Sequence, residues 1–409
     1  MLESAVRLKV ISRVKTITVK HHFNISNINH ADWSRAVDEQ TPTLLTADDD
    51  AFEEGIRNLL SQLKSSHTNF YRSDTNSTMP QHVIGATLRS VLRIGAPRWM
   101  FLDVFDDSPA ACAGISPGHL LLAVNGTPAV PPSFPVFRFG QEHHLTVELP
   151  EKETKNVVVT VPPRTPKGRR LPLVEPKSIS YRMLRNIGIL KISFFPGAFG
   201  IRFSRLLDST VESLKAQGCD RLIIDLRGCL GGSLGFARLV SYLCPDRIPI
   251  GFDITRKRLE RGYTVAQLPR VPMPNSKLAL LFCLTRFSVQ DKSLILLTQG
   301  LGKQPFHGRV VVLVNEWTNS AGEMAAQFAK DTKLATVVGI QTGGNVLGST
   351  MFNVGNGYQL YLPIFGWYSP SGNCAEGSGV LPDVPVDIDP DRLAYGDDAQ
   401  VKKAVELLQ

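Results

Sequence analysis

Ser320 stands where an apolar run meets a helix-forming run, a position from which a serine can act as a nucleophile. Val310 to Val314 (VVVLV) are β-branched or leucine, the pattern of a strand buried on both faces. Asn315 to Asn319 break the run with polar turn formers. Ala321 to Lys330 (AGEMAAQFAK) then sets Met324, Ala325, Phe328 and Ala329 on one helical face. A serine at such a junction points out of the sheet edge. The N–H of Ala321 lies in the first helical turn, free to donate to an anion. That is the layout of a nucleophile elbow with half of an oxyanion hole. The spacing Ser320-x-x-Glu323 also reads as a capping box, and local composition favours that reading. His67, in the stretch KSSHTNFY, follows the end of a predicted helix. On this stretch alone it reads as a surface or capping histidine and not as a catalyst.

The elements that would carry these residues fit a soluble globular protein. The chain has 409 residues, 43% hydrophobic and 20% charged, too long for one ordinary core. The formal net charge of +8 leaves room for an acidic partner. Its basic runs at Arg164–Arg170 and Arg256–Arg261 lack interleaved aromatics, so nucleic acid is not expected as a partner. Six cysteines form no C-x-x-C pair, which argues against a zinc site or a disulfide framework. The histidine pairs His21-His22 and His143-His144 read as surface pairs, and no cofactor is expected. No stretch reaches the length of about 20 apolar residues needed for a membrane span. The N-terminal segment lacks a signal-peptide h-region. A cytoplasmic location is expected, or a periplasmic or secreted one if the true start lies upstream.

In chain order, residues 1–80 read as a first unit, helical in its second half, where Phe52, Ile56, Leu59, Leu60 and Leu63 share a face. Residues 81–163 change to short strands, with Ser108-Pro109 opening a short helix and Asn125-Gly126 closing a hairpin. A Pro/Arg/Lys-rich linker leads to residues 178–409, where strands and helices alternate as in an α/β domain with a largely parallel sheet. The segment from Pro245 to Gly308, including the apolar run at 278–282, reads as an irregular connection or cap.

Four motifs then occur in one order. SPAACAGISPGHLLLAVNG, from Ser108, resembles the signature of PDZ domains, with His119 where aspartate is usual. DLRGCLGG from Asp225, TNSAGE from Thr318 and EGSGVLPD from Glu376 are similar to D-L-R-x-N-x-G-G, T-x-S-A-x-E and E-x-x-G-V-x-P-D. Together they resemble the C-terminal processing peptidase (tail-specific protease) family of serine peptidases over nearly the whole chain. In the family's Ser–Lys branch a lysine follows in a T-x-G-K-G turn. Here the turn is Thr342-Gly-Gly-Asn345, and Lys330 lies roughly 15 Å along the helix from Ser320, too far for proton transfer. Ser66-His67 in KSSHT resembles the S-H-T motif of the tricorn-core-like branch.

The resemblance implies a crotonase/ClpP-like spiral β-β-α core, an inserted PDZ-like domain and an N-terminal helical unit. It implies a catalytic set of Ser66, His67, Ser320 and Glu376, with His67 as general base for Ser320. The oxyanion donors would be the N–H of Ala321 and that of Gly231 or Gly232. Ile84, Gly85 and Ala86 would cradle the terminal carboxylate of a bound peptide. Peptide or protein C-terminal tails would be the substrates, with room for a homo-oligomer. The alternative is a PDZ-bearing peptide carrier without catalysis; a crotonase-type acyl-CoA enzyme would share the core but explain neither the PDZ-like segment nor Ser66-His67.

Overall fold

The computed structural model describes residues 3–72, 77–93, 95–163, 173–197, 199–274, 281, 293–302 and 309–409. The Arg164–Arg170 run, and the 278–282 run apart from Leu281, lie outside them. Helices span Ser4–His21, His30–Thr46 and Asp49–Ser61. The first unit is therefore helical from its start and not only in its second half. The Ser4–His21 stretch is rich in valine, isoleucine and threonine, which disfavour helix. Its Val10, Ile11, Val14 and Thr18 nevertheless recur at helical spacing and are buried. Val10, Ile11 and Val14 pack with the third helix against Tyr358, Leu360 and Leu362, and that packing outweighs propensity. Asp48 caps the third helix by accepting from Ala51 N at 2.7 Å.

The central sheet runs Ile179–Leu184, Ile187–Ile192, Arg221–Asp225, Val310–Val314, Thr336–Gly339 and Val384–Pro385 in spatial order. The first pair is antiparallel and the rest are parallel. Both faces are covered. Leu222, Ile224, Val310, Val312 and Val314 face the helices Ile201–Ala216, Gly235–Ser241 and Ala321–Thr332. Ile223, Val311 and Leu313 face the helix Ala399–Leu408. Alternate residues of one strand thus fill two cores, which is why its sequence is continuously apolar.

A second sheet joins distant parts of the chain. Its order is Asn69–Arg72, Tyr358–Tyr368, Pro249–Thr255, Leu294–Leu297 and Arg270–Pro272, with Gly348–Gly355 also paired to Tyr358–Tyr368. Among the described residues, the 245–308 segment therefore supplies three strands, which corrects the expectation of an irregular connection. Their apolar runs are short, and their burial depends on partners far away in sequence.

The third sheet, Ala86–Arg93, Ala96–Val104, Leu120–Val124, Glu142–Glu148 and Thr154–Thr160 in order, surrounds its own core of Leu88, Phe101, Leu121, Leu145 and Val159. Asn125 and Gly126 take φ values of 50° and 77°, as a type I′ hairpin turn requires. Two side chains fasten this sheet to the central one. Asp103 accepts from Asn315 Nδ2 at 2.9 Å, and Arg89 bridges Glu316 at 3.1 Å and Asp387 at 2.9 Å. Among the described residues, no helix is long and apolar enough to cross a membrane.

Candidate active site

The turn between strand Val310–Val314 and helix Ala321–Thr332 is tied down through Asn315 and Thr318. The Asn315 side chain accepts from Gly228 N at 2.9 Å and Trp317 N at 3.1 Å. Thr318 Oγ1 accepts from Asn315 N at 3.0 Å and donates to Leu226 O at 2.9 Å. The turn delivers Ser320 at φ 52° and ψ −116°, a region that costs a non-glycine residue about 1–3 kcal/mol. So much fixed backbone on either side holds the strain in place.

Glu323 is the hub of this arrangement. It is fully buried and accepts four hydrogen bonds. They come from Ser320 N (3.0 Å), Thr342 Oγ1 (2.6 Å), Gly344 N (2.7 Å) and Asn345 N (2.8 Å). Burial pushes its carboxyl above the usual carboxylate range, and the four donors oppose that push. The capping reading of Glu323 thus accounts for only one of its bonds. Asn345 adds a bond from Nδ2 to Asn319 Oδ1 at 2.7 Å. Lys330 turns away to Leu381 O at 2.8 Å and to Asp383.

Across the cavity, Ser66, His67 and Glu376 form one hydrogen-bonded chain. Glu376 Oε1 accepts from Ser66 N at 2.7 Å, and Oε2 accepts from Ser66 Oγ at 2.9 Å and Val346 N at 3.0 Å. Ser66 Oγ lies 2.9 Å from His67 Nδ1. The single Ser66 hydroxyl proton goes to the carboxylate, so the hydroxyl oxygen must accept from His67 Nδ1–H. The Nε2 lone pair is then left available as a base. His67 is half-buried, and burial pushes its imidazole down to about 4. His67, Ser320, Ala321 and Gly232 line one cavity of 710 Å³. His67 and Ser320 share its wall without a direct hydrogen bond between them.

The glycine turn after strand Arg221–Asp225 abuts the elbow. A Cβ on Gly231 would fall 2.6 Å from Ser320 Cβ, and one on Gly232 would fall 2.2 Å from Phe195 O. Gly231 is occupied on both sides: its N–H faces the Cys229 thiol and its carbonyl accepts from Phe195 N at 2.8 Å. Gly232, at φ 132°, is the one whose backbone borders the cavity. Arg227 clasps Asp225 through Nε at 2.9 Å and through Nη2 at 2.8 Å, and reaches Asp398 at 2.7 Å. These residues shape the turn and stay out of the cavity.

Ile84, Gly85 and Ala86 lie at the start of the third sheet's end strand, away from the Ser320 cavity. Ile84 and Ala86 are fully buried. Ile84 N donates to Pro80 O at 2.9 Å, and Gly85 O accepts from Phe105 N at 2.9 Å.

Sequence reasoning missed Asp253. It sits in strand Pro249–Thr255 and lines the cavity among Phe236, Phe365 and Trp367. Its Oδ1 is buried with no hydrogen-bond partner among the described residues, and burial pushes the carboxyl up to about 8. The available signal was a lone charge inside the apolar run IGFDI.

Residues 186–386 match the family model described as peptidase family S41. A "Putative tricorn protease homolog 2" of Streptomyces coelicolor is 26% identical over 92% of this chain, which spans 30% of that protein's length. A "Carboxyl-terminal-processing protease" of Picosynechococcus is 23% identical over 93% of this chain and 84% of its own. Against "Probable CtpA-like serine protease" of Staphylococcus epidermidis, the chain spans about half the relative's length (49%). In three dimensions the chain is similar to a photosystem II D1 C-terminal processing protease, with a TM-score of 0.56 at 17% identity. That likeness covers 98% of this chain and 97% of the other, and it establishes a shared mixed α/β fold over nearly the full length. Through residues 186–386, the chain belongs to peptidase family S41.

Proposed function

We propose that the chain is a serine peptidase that cleaves peptide bonds near the C-termini of proteins or peptides, with Ser320 as nucleophile and His67 as general base. The reading rests on one observation above the rest. A carboxylate–serine–imidazole chain, Glu376–Ser66–His67, ends on the cavity into which the strained Ser320 elbow opens. Ser320 Oγ bonds to the scissile carbonyl carbon while its proton passes to His67 Nε2. The carbonyl oxygen takes the negative charge and receives the N–H groups of Ala321 and Gly232. Collapse breaks the C–N bond, and His67 returns the proton to the leaving amine. Water, deprotonated by His67, then attacks the acyl carbon, the bond to Ser320 Oγ breaks, and His67 returns the proton to Ser320 Oγ. The core is taken as residues 178–409, in the crotonase/ClpP-like spiral arrangement. Residues 81–163 form the PDZ-like unit, whose end strand Ala86–Arg93 offers a free edge for a peptide tail. Residues 1–80 carry the base.

The direct test is labelling by a fluorophosphonate probe. Wild type should be labelled and His67→Ala labelled at least ~100-fold more slowly. A folded wild type that resists the probe with and without C-terminal peptides, yet binds those peptides, would instead establish the carrier reading.

The pH profile carries a second expectation. The base works only as neutral imidazole. Burial keeps His67 neutral down to about 4, so the acid limb of kcat/KM should lie near pH 4 and not near the ordinary value of 6.5. An acid limb at or above 6.5 would remove His67 from the role of base.

Asp253 sets a preference among substrates. A lysine or arginine side chain entering the apolar cavity would bring the missing partner to its carboxyl. Asp253→Asn should slow cleavage of peptides with a basic residue at that position by about 10- to 100-fold, the range for a hydrogen bond to a charged group. Norleucine peptides should change little. Equal effects on the two series would place Asp253 outside substrate recognition.

A further inference from the structure

The turn that carries His67 is gripped on the side opposite Glu376 by a second polar chain. His22, just past the end of helix Ser4–His21, is fully buried. Its Nδ1 lies 3.1 Å from His30 Nε2 and its Nε2 lies 2.9 Å from Ser65 Oγ. Ser65 Oγ lies 2.9 Å from Thr68 Oγ1, and Thr68 Oγ1 donates to Ser66 O at 3.3 Å.

The proton count makes this chain run one way. Thr68 spends its only hydroxyl proton on Ser66 O, so Ser65 must donate to Thr68. Ser65 has then spent its own proton and must accept from His22 Nε2–H. Neutral His22 has one N–H, so its Nδ1 accepts from His30 Nε2–H. Burial, followed by the charges of His30 and Arg256, pushes His22 down to about 4, so the ring is neutral at pH 7. From His30 Nε2 to the Ser66 carbonyl, each donor meets an acceptor.

The far end of the chain matters because of what it holds. Ser66 donates both its N–H and its hydroxyl to Glu376, and its carbonyl is held by Thr68. All three polar atoms of the residue that orients the His67 ring are therefore fixed. The turn needs this, because Lys64 and His67 both take positive φ, 48° and 55°, and such backbone persists only where its surroundings over-determine it. The segment after His22 adds two ties: Ser26 Oγ donates to Lys64 O at 3.1 Å, and Phe23 N donates to Pro363 O at 2.9 Å.

We propose that His22 is a positioning residue for His67, acting through Ser65 and Thr68 to fix the Ser66 carbonyl and with it the imidazole ring. The inference rests on the reading of His67 as general base.

The test compares wild type with His22→Ala, His22→Gln, Ser65→Ala and the His22→Ala/Ser65→Ala double variant. Each single alanine should lower kcat by about 10- to 100-fold, the range for a catalytic group displaced by about an ångström, with KM within about twofold. The double should fall no further than the worse single, because both break one chain. Glutamine can still donate to Ser65 and should recover most of the loss. Ser65→Ala removes a single oxygen and carries the test if His22→Ala fails to fold. Nitrogen-15 histidine spectra give a readout independent of turnover. His67 should hold its proton on Nδ1 in wild type and show mixed tautomers in Ser65→Ala. An unchanged His67 tautomer, or losses that multiply in the double variant, would overturn the role of His22. A wild type with the expected tautomer but no hydrolysis would overturn the peptidase reading instead.

Discussion

Replacing Ser320 with alanine or with glycine should silence the protein equally while moving its stability apart. Loss of the proposed nucleophile should cost on the order of 10⁴- to 10⁶-fold in kcat, and neither variant should take up a fluorophosphonate. Stability responds to the backbone instead. Ser320 sits at φ 52° and ψ −116°, where a Cβ is strained and glycine is not. Alanine keeps the Cβ and should leave the unfolding free energy within ~0.5 kcal/mol. Glycine releases the strain and should raise it by ~1 kcal/mol or more, offset only slightly by the lost Cβ. Denaturant titration of the three proteins reads this out. A glycine variant less stable than the alanine variant would mean that the elbow stores no strain. Labelling that persists in Ser320→Ala would mean that the reactive serine lies elsewhere.

Removing Glu323 should do the most damage to the fold and the site together. Its carboxylate satisfies four donors, three of them backbone N–H groups, in a spot closed to water. Glu323→Ala strands all four, and at about 1–3 kcal/mol for each unsatisfied buried group, moderated by relaxation, a loss of roughly 4 kcal/mol is expected. Glu323→Gln keeps the shape but presents N–H to N–H on one side, so about half of that loss is expected. The chemistry should suffer beyond stability. The loop from Thr342 to Val346 meets Glu323 at one end and Glu376 at the other, so it sets the spacing between the Ser320 turn and the carboxylate that holds Ser66. Under conditions where Glu323→Gln stays folded, labelling of Ser320 should still slow by about 100-fold. Wild-type labelling in the folded glutamine variant would reduce Glu323 to a helix cap.

Legibility in the sequence followed the range over which each feature is determined. The elbow was readable because VVVLV, the polar break and AGEMAAQFAK are adjacent, and each segment's composition suffices for its own conformation. The family motifs were readable for the same reason. The His67 turn was not readable from its own residues. It is placed by pairing of Asn69–Arg72 with Tyr358–Tyr361, a contact that no local pattern encodes. Likewise, strands Pro249–Thr255 and Leu294–Leu297 looked irregular because each is too short to reveal a period, and the partners that bury them arrive later. Asp253 went unnoticed with them. Within Ser4–His21, a strand-like composition concealed a helix whose buried face is set by the hairpin after residue 348.

The pairing of the first strand of the second sheet with one of its last also governs when the proposed site can assemble. Chains emerge from the ribosome N-terminus first. His67 and its helices are made early, but the strand that seats them ends at Tyr368, and the carboxylate that orients Ser66 is Glu376. Ser320 precedes both. Until those segments are made, His67 lacks both the strand pairing and the carboxylate that hold its turn in place. The long span between the paired strands makes closure slow, so the His67 turn is seated late relative to its own helices. On the proposed peptidase reading, this order leaves hydrolysis until both later segments are in place.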